Sequence, residues 1–383
     1  MLLAGASCAQ QWTQLADFPG TARDDAASFT ISGGGPGITY VGTGMEVGWG
    51  LTNDWWRFDG SSWQQVASMP SSPRQYCSGV EVNNKGYVFG GTDANGPLNE
   101  LWRYDPALDQ WEEMTPLPGE GRYAAAVLSS DGSRILVTYG MLANGMPTKE
   151  AWYYHVDSDS WSVLPDAPEP ARHRAAAGSS YIAGGMDDAG NVLSDTWHID
   201  FTGPTPTWFA MPNLPEPRFG ARIAFAFVIG GASSWTEIHD NVWSLSFSDW
   251  TVLDPFPGGP RRGGAIGVIS GLSHSIFFGT GLDESLERQN DWWRMDLPSS
   301  VHELQNEALT ISPNPATDVV LFAFTPTNGT AIVTVIDATG KTVRSFSSLA
   351  INTINIADLP GGCYTVFLQQ TDQHRIGRFI KLP

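Results

Sequence analysis

The chain has 383 residues and a formal net charge of −19 at pH 7. That acidic balance argues against nucleic acid and against anionic membrane surfaces as partners, and no run of eighteen apolar residues offers a transmembrane helix. With 42 Gly, 26 Pro and 16 Trp but only 16% charged residues, and with short strand-like runs where amphipathic helical windows would stand, the composition indicates an all-β protein.

Residues 1–9, MLLAGASCA, read as the remnant of a secretion signal, with Ser7-Cys8-Ala9 as a small-x-small cleavage site before Gln10. A lipidation site at Cys8 would call for Leu or similar where Gly5 stands. Cys77 and Cys363 fall in different predicted domains, so no disulfide is expected.

From residue 10 to residue 298 one phrase returns six times. A strand run ends on glycine at Tyr40-Val-Gly-Thr-Gly44, Tyr87-Val-Phe-Gly-Gly91, Thr138-Tyr-Gly140, Ile182-Ala-Gly-Gly185, Val228-Ile-Gly-Gly231 and Phe277-Phe-Gly-Thr-Gly281. Each copy is followed by a tryptophan, Trp56, Trp102, Trp152, Trp197, Trp243 and Trp293, and a second register trails it at Trp63, Trp111, Trp161, Trp208 and Trp250. A period of 45 to 50 residues with strand content predicts a propeller or array of four-stranded units, a to d. Glycine at the end of strand b would let the following tryptophan ring lie over the backbone and fill the space between blades. The last unit lacks a second tryptophan, and Trp12-Thr-Gln-Leu-Ala-Asp-Phe-Pro19 matches the missing segment, so the N-terminal strand is expected to close the ring by completing blade six. Unit five departs most: the stretch from Arg218 to Gly230 carries no Gly or Asn for an a–b turn, and the pattern does not define its inner strands.

The sequence Pro-Arg, Tyr-Val-Phe-Gly-Gly, Asn-Glu-Leu-Trp-Arg-Tyr-Asp, then Trp and Leu-Pro, resembles kelch repeats over residues 10–298. The resemblance implies a six-bladed kelch β-propeller. After a polar linker at 299–307, residues 308–383 show alternating short strands and turn residues that suggest a small Ig-like β-sandwich. This segment resembles the type A C-terminal sorting domain of the Bacteroidetes type IX secretion system. The resemblance is carried by Ser-Pro313-Asn314-Pro315-Ala-Thr-Asp, Asp-x-x-Gly340-Lys341, Leu-Pro-Gly361-Gly-x-Tyr364 and the final Arg-Phe-Ile-Lys381-Leu. It implies export across the outer membrane to a secreted or surface location, with the secretion machinery as a partner.

In a four-stranded antiparallel blade the d–a and b–c loops emerge on one face, where a rigid scaffold presents binding residues. An arginine stands near the start of each strand a: Arg23, Arg74, Arg122, Arg172, Arg218 and Arg261, with Arg174 and Arg262 beside them. Such a ring would suit a carboxylate, sulfate or phosphate. The structural alternative pairs each arginine with the acid or amide two residues before the register tryptophan, Asp54, Glu100, Glu150, Asp195, Asn241 and Asp291. Residues that break the symmetry are the sharper candidates: Trp49 and Trp235 in b–c loops, and Tyr123, His173 and Phe219 after the repeated arginine, suited to stacking on sugars or peptides. An enzyme of sugar mutarotase or epimerase type would need an acid–base pair in the pore, for which Glu216 beside Arg218 and Glu169 beside Arg172 and His173 are the candidates. No metal motif or cofactor signature is found: the seven His make no short-spaced set, and the oxygen-rich loops at 93–100 and 186–195 lack EF-hand spacing. The reading is therefore an exported propeller that binds an extracellular glycan or protein through its d–a and b–c loop face, with a sugar-processing enzyme and a purely structural surface protein as alternatives.

Overall fold

The computed structural model describes residues 11–297 except 34, 36, 130–131, 246–248 and 270–273, and residues 311–382 except 323–330, 338–341, 349–352 and 371–372. Every described element of regular structure is a strand. The chain divides into two compact units, residues 1–297 and 298–383.

The first unit holds six four-stranded antiparallel sheets among the described residues, one per sequence repeat. Blade two shows the plan: strand a is Ser78–Val82, b is Lys85–Phe89, c is Leu101–Asp105 and d is Gln110–Met114. Blade six takes its outer strand from the other end of the repeat, with Gln11–Gln14 paired to Trp292–Asp296 in the register Trp12↔Met295. Blade five does form its inner strands. Arg222–Ala224 pairs with Phe227–Ile229 through a turn of Phe225 and Ala226, and Phe225 itself takes the positive φ (52°) that Gly or Asn was expected to supply.

The glycines at the end of strand b answer to the backbone rather than to the register tryptophan. Two consecutive positions have positive φ in every blade. The first is filled by Thr43, Gly90, Tyr139, Gly184, Gly230 and Thr280, the second always by glycine. At that second position the N–H donates to the carbonyl of the next blade's repeated arginine: Gly44 to Arg74, Gly91 to Arg122, Gly140 to Arg172, Gly185 to Arg218, Gly231 to Arg261 and, closing the circle, Gly281 to Arg23, at 2.7–3.1 Å. A Cβ has no room there; on Gly91 it would stand 2.6 Å from Cys77 Sγ and 2.7 Å from the Gln75 carbonyl.

Ring-over-glycine packing does occur, one step away from the register. In blades one and six the last residue of strand b is Gly42 or Gly279, and its cross-strand partner is Trp55 or Trp292, both fully buried. The same pair is Phe89 with Leu101 in blade two and Ile229 with Val242 in blade five, so bulk moves from one strand to its neighbour while the space stays filled. The second tryptophan register joins blades: Trp63, Trp111, Trp161 and Trp250 donate their indole N–H to the Ala16, Ala67, Thr115 and Pro212 carbonyls of the preceding blade.

In the second unit a sheet of Ile311–Ser312, Val319–Phe322 and Thr353–Asn355 shares its core with a sheet of Ala331–Asp337, Thr342–Ser348, Gly362–Gln370 and Gln373–Lys381. Val320 and Phe322 come from the first, and Val333, Val335, Val366 and Phe379 from the second. The motif residues gather at one end of this unit. Asn314, between cis-Pro313 and cis-Pro315, accepts the Ile380 N–H at 2.9 Å, the Tyr364 hydroxyl donates to the Pro360 carbonyl at 2.8 Å in the turn that holds Gly361, and Lys381 is buried. Gly340 and Lys341 lie outside the described residues.

Gly91→Ala should lower unfolding free energy by more than about 2 kcal/mol, since strain at a positive φ (about 1–3 kcal/mol) is joined by a backbone clash. Gly48→Ala, at φ 85° with open space around it, should cost only the strain. Urea titration of both variants reads the difference.

Candidate functional site

The six repeated arginines do not form a ligand-binding ring. Arg23, Arg74, Arg122, Arg172, Arg218 and Arg261 are 0–2% exposed. Five bond their own blade's acid, Asp54 at 2.6 Å, Glu100 at 2.7 Å, Glu150 at 2.7 Å, Asp195 at 2.7 Å and Asp291 at 2.5 Å. Arg218, in the blade with Asn241 in place of the acid, bonds Asn241 at 2.8 Å and Glu216 at 2.7 Å. In blades one, two, four and six the same acid accepts the register tryptophan's indole N–H: Trp56 to Asp54, Trp102 to Glu100, Trp197 to Asp195 and Trp293 to Asp291, at 2.7–2.8 Å. The repeat thus encodes an Arg–acid–Trp clasp, complete in blades one, two, four and six. At Asp54, burial pushes the carboxyl up, but the Arg23 and Trp56 hydrogen bonds outweigh it and hold it below the usual range.

The two proposed catalytic acids are likewise engaged elsewhere. Glu169 is exposed and paired with Lys149, and Glu216 is exposed and paired with Arg218. Neither lines the axial channel or the cleft above it.

The asymmetric site lies one and two residues beyond each clasp arginine. The second of these positions, Asp25, Tyr76, Ala124, Arg174, Gly220 and Gly263, has positive φ in all six blades (50–65°). Its N–H groups form a closed ring of backbone hydrogen bonds around the axis: Tyr76 to Asp25, Ala124 to Tyr76, Arg174 to Ala124, Gly220 to Arg174, Gly263 to Gly220 and Asp25 to Gly263, at 2.8–3.1 Å. The backbone is common to all blades, and the side chains are not. Strand a of each blade lines a channel of about 100 Å³, at which Asp25, Tyr76, Arg174 and Arg222 present polar groups.

Above it a cleft of about 340 Å³ is walled by Asp24, Met45, Trp49, Gln75, Tyr76, Trp235, Arg262, Leu282, Leu286 and Arg288. Trp49 and Trp235, from b–c loops of blades one and five, therefore meet in one place. Both are exposed (76% and 50%), and each stacks on arginine: Arg288 lies 4.9 Å from the Trp49 ring, and Arg174 and Arg262 lie 5.2 and 5.6 Å from Trp235. The other aromatic candidates support this face from beneath. Phe219 is fully buried with its ring 5.0 Å from Trp235. His173 is buried, and its Nδ1 bonds Arg174 Nη1 at 2.6 Å. Tyr123 is half-buried, 5.6 Å from the Tyr76 ring and 5.7 Å from the Arg174 guanidinium.

Four arginines, Arg174, Arg222, Arg262 and Arg288, thus surround two acids, Asp24 and Asp25, on an otherwise acidic domain. Residues 300–383 hold five Lys/Arg and six Asp/Glu, so nearly all of the negative charge lies in the rest of the chain. Burial, and then the neighbouring Asp25 charge, push Asp24 up to about 7 against the opposing pull of Arg288, which bonds it at 2.6 Å. Burial and the Arg174 charge push His173 down to about 3, so it is neutral at physiological pH. Burial also lowers Arg222, whose Nε donates to the Gly264 carbonyl. Among the described residues no cluster of three or more His, Cys, Asp or Glu is placed to hold a metal ion. Sequence reasoning reached Arg174, Arg262, Trp49 and Trp235, but not Asp24, Asp25, Tyr76, Arg222 or Arg288. Asp24, Asp25 and Tyr76 were detectable as fixed offsets of one and two from the repeated arginine, in columns that differ from blade to blade.

Residues 9–182 match the KLHDC2/KLHL20/DRC7 Kelch-repeats domain family, and residues 310–382 match the Secretion system C-terminal sorting domain family. The chain thus carries a kelch-repeat domain and a secretion system C-terminal sorting domain, and the sorting domain indicates export to a secreted or cell-surface location. Among similar proteins are N-acetylneuraminate epimerases of Yersinia enterocolitica (29% identical) and Yersinia pestis (33% identical), each over 113 residues that make up 27% of this chain and 28% of the relative. An N-acetylneuraminate epimerase of Salmonella typhi is 23% identical over 34% of each chain. The chain thus spans about a third or less of the length of these relatives. The structure of YjhT superposes with a TM-score of 0.61 at 15% identity, covering 73% of this chain and 95% of that one, which is a likeness of fold.

Asp291→Ala should cost about 3 kcal/mol, because it strands the buried Arg261 charge, and should leave the mouth untouched; chemical denaturation checks it. Asp24 carries the opposite sign. A carboxyl raised in the folded state favours folding below its unfolded pKa of about 4 and loses that contribution as pH rises to about 7. Asp24→Asn should therefore match the wild type near pH 4 and be the more stable protein at pH 8, read from Tm against pH.

Proposed function

We propose that the exported propeller binds a carbohydrate in the axial cleft, with sugar rings stacked on Trp49 and Trp235 and their polar groups held by the surrounding arginines. The observation that carries this reading is the backbone of Trp49. A tryptophan between two glycines is held at φ 70°, in the left-handed region, while 76% exposed. Such a conformation costs of order 1–3 kcal/mol in a bulky residue and none in glycine, and strain of that kind is expected where function retains it. Trp235 across the cleft supplies a second ring, fixed by Phe219 and Arg174.

A second reading, a sugar epimerase or mutarotase, draws on the relatives named N-acetylneuraminate epimerase and on Asp24. A carboxyl poised near 7 at the cleft is suited to exchanging a proton with an anomeric hydroxyl. In this reading Asp24, with Arg288 beside it, takes the place first assigned to Glu216 and Glu169.

Trp49→Gly should separate function from stability: the protein gains about 1 kcal/mol in unfolding free energy while affinity for the oligosaccharides it recognises on a glycan array falls roughly tenfold or more. Trp235→Ala should lose affinity likewise. If neither variant changes the array profile, or no glycan is bound, the reading passes to a protein partner. Anomer exchange of a bound sugar followed by NMR, abolished in Asp24→Asn, would select the enzyme.

A further inference from the structure

The channel beneath the cleft carries groups that the fold does not use. Asp25 is 5% exposed, and its Oδ2 has no hydrogen-bond partner among the described residues; nor does Arg174 Nε, also buried. Arg222 donates its Nε to the Gly264 carbonyl, which leaves its two Nη groups as further donors at the channel. All three residues line the same channel. Buried polar groups without partners are rare in folded proteins and mark the place of a ligand or ordered solvent. Here they are of two kinds at once: guanidinium donors with net positive charge, and a carboxylate acceptor.

The size of the channel limits what enters. About 100 Å³ is less than the roughly 150 Å³ that admits a benzene ring, so a sugar ring stays outside in the cleft. Tyr76 lines both spaces. We infer that the channel is an end-recognition subsite that takes a small anionic group bearing a hydroxyl, a hydroxy-carboxylate in its simplest form. Its acid oxygens accept from Arg174 and Arg222, and its hydroxyl donates to Asp25 Oδ2. The inference rests on the carbohydrate reading above and narrows it: the recognised ligand presents a terminus to the axis, and the interior of a polysaccharide chain does not fit.

Three small probes test this on the full chain by NMR titration: glycolate, acetate and ethane-1,2-diol. Glycolate should bind about tenfold more tightly than acetate, one hydroxyl donated to a charged acceptor being worth about that factor, and the diol should bind weakest for want of charge. Arg222→Gln should weaken both carboxylates about tenfold. Asp25→Asn, which tolerates the left-handed backbone there, should narrow the glycolate preference without weakening acetate. Glycolate bound by a wild type that binds no glycan on the array would fail the cleft reading alone, and glycans bound without glycolate would fail the channel reading alone, so the two are separable. Equal affinity for glycolate and acetate in the wild type, or no binding of either, would overturn the subsite and leave the channel to water.

Discussion

The propeller depends on one contact made six times. The second glycine at the end of each strand b donates its N–H to the carbonyl of the next blade's repeated arginine, and the sixth contact, Gly281 to Arg23, closes the circle. That contact requires a residue with no Cβ and a positive φ, which is why this column alone is glycine in all six blades. In blades one, two, four and six the arginine is then held on its other side by the blade's acid and by the carbonyl at the first turn position, as Arg23 is by Asp54 and Thr43. Backbone from one blade, guanidinium and carboxylate from the next, and an indole N–H together fix the angle at which blades meet. Strand Gln11–Gln14 extends the same logic to the seam, where an open sheet edge would otherwise remain.

This arrangement separates structure from recognition over two residues. The arginine recurs in every blade because each blade offers its buried guanidinium a polar partner, one acid in five blades and Asn241 with Glu216 in the other. Of the next two positions the second contributes its backbone to the axial ring of hydrogen bonds, and the first pairs its backbone within the blade, as Gln75 does with Thr92 and Phe219 with Ala232, so their side chains are free to differ. They do differ: Asp24-Asp25, Gln75-Tyr76, Tyr123-Ala124, His173-Arg174, Phe219-Gly220 and Arg262-Gly263. Six identical backbones therefore present an acidic sector, basic sectors and aromatic sectors around one small opening. The b–c loops add Trp49, Trp235 and Arg288 above it. A symmetric scaffold with an asymmetric rim is well suited to holding one ligand in one orientation.

Much of the fold was legible because its period is written in large residues. The Gly-turn and tryptophan registers gave the blades, and the N-terminal match to the d-strand segment gave the closure seen at Trp12↔Met295. What the registers hid was which tryptophan does what. Trp56 and Trp293 serve the Arg–acid clasp, whereas their neighbours Trp55 and Trp292 cover glycine, and adjacent identical letters do not reveal which side of a strand each occupies. The arginine ring was read as two alternatives, and burial decides for pairing within the blade. The site was half legible. Trp49 and Trp235 stood out as irregular, and Arg174 and Arg262 as extra charge. Arg222 and Arg288 gave no signal, since one sits in the shortened strand a of blade five and the other in a polar b–c loop. Glu169 and Glu216 looked plausible by proximity to arginine in sequence, and that same proximity explains Glu216, which completes the clasp where Asn241 replaces the acid.

The central claim is that function resides at the axial mouth, and the most direct measurement is a crystal structure of the chain grown with an oligosaccharide that it binds. The account predicts density for a sugar ring between Trp49 and Trp235, with a terminal group directed into the channel toward Arg174 and Arg222. Density on the rim of the blades, or on the face opposite the b–c loops, would contradict it.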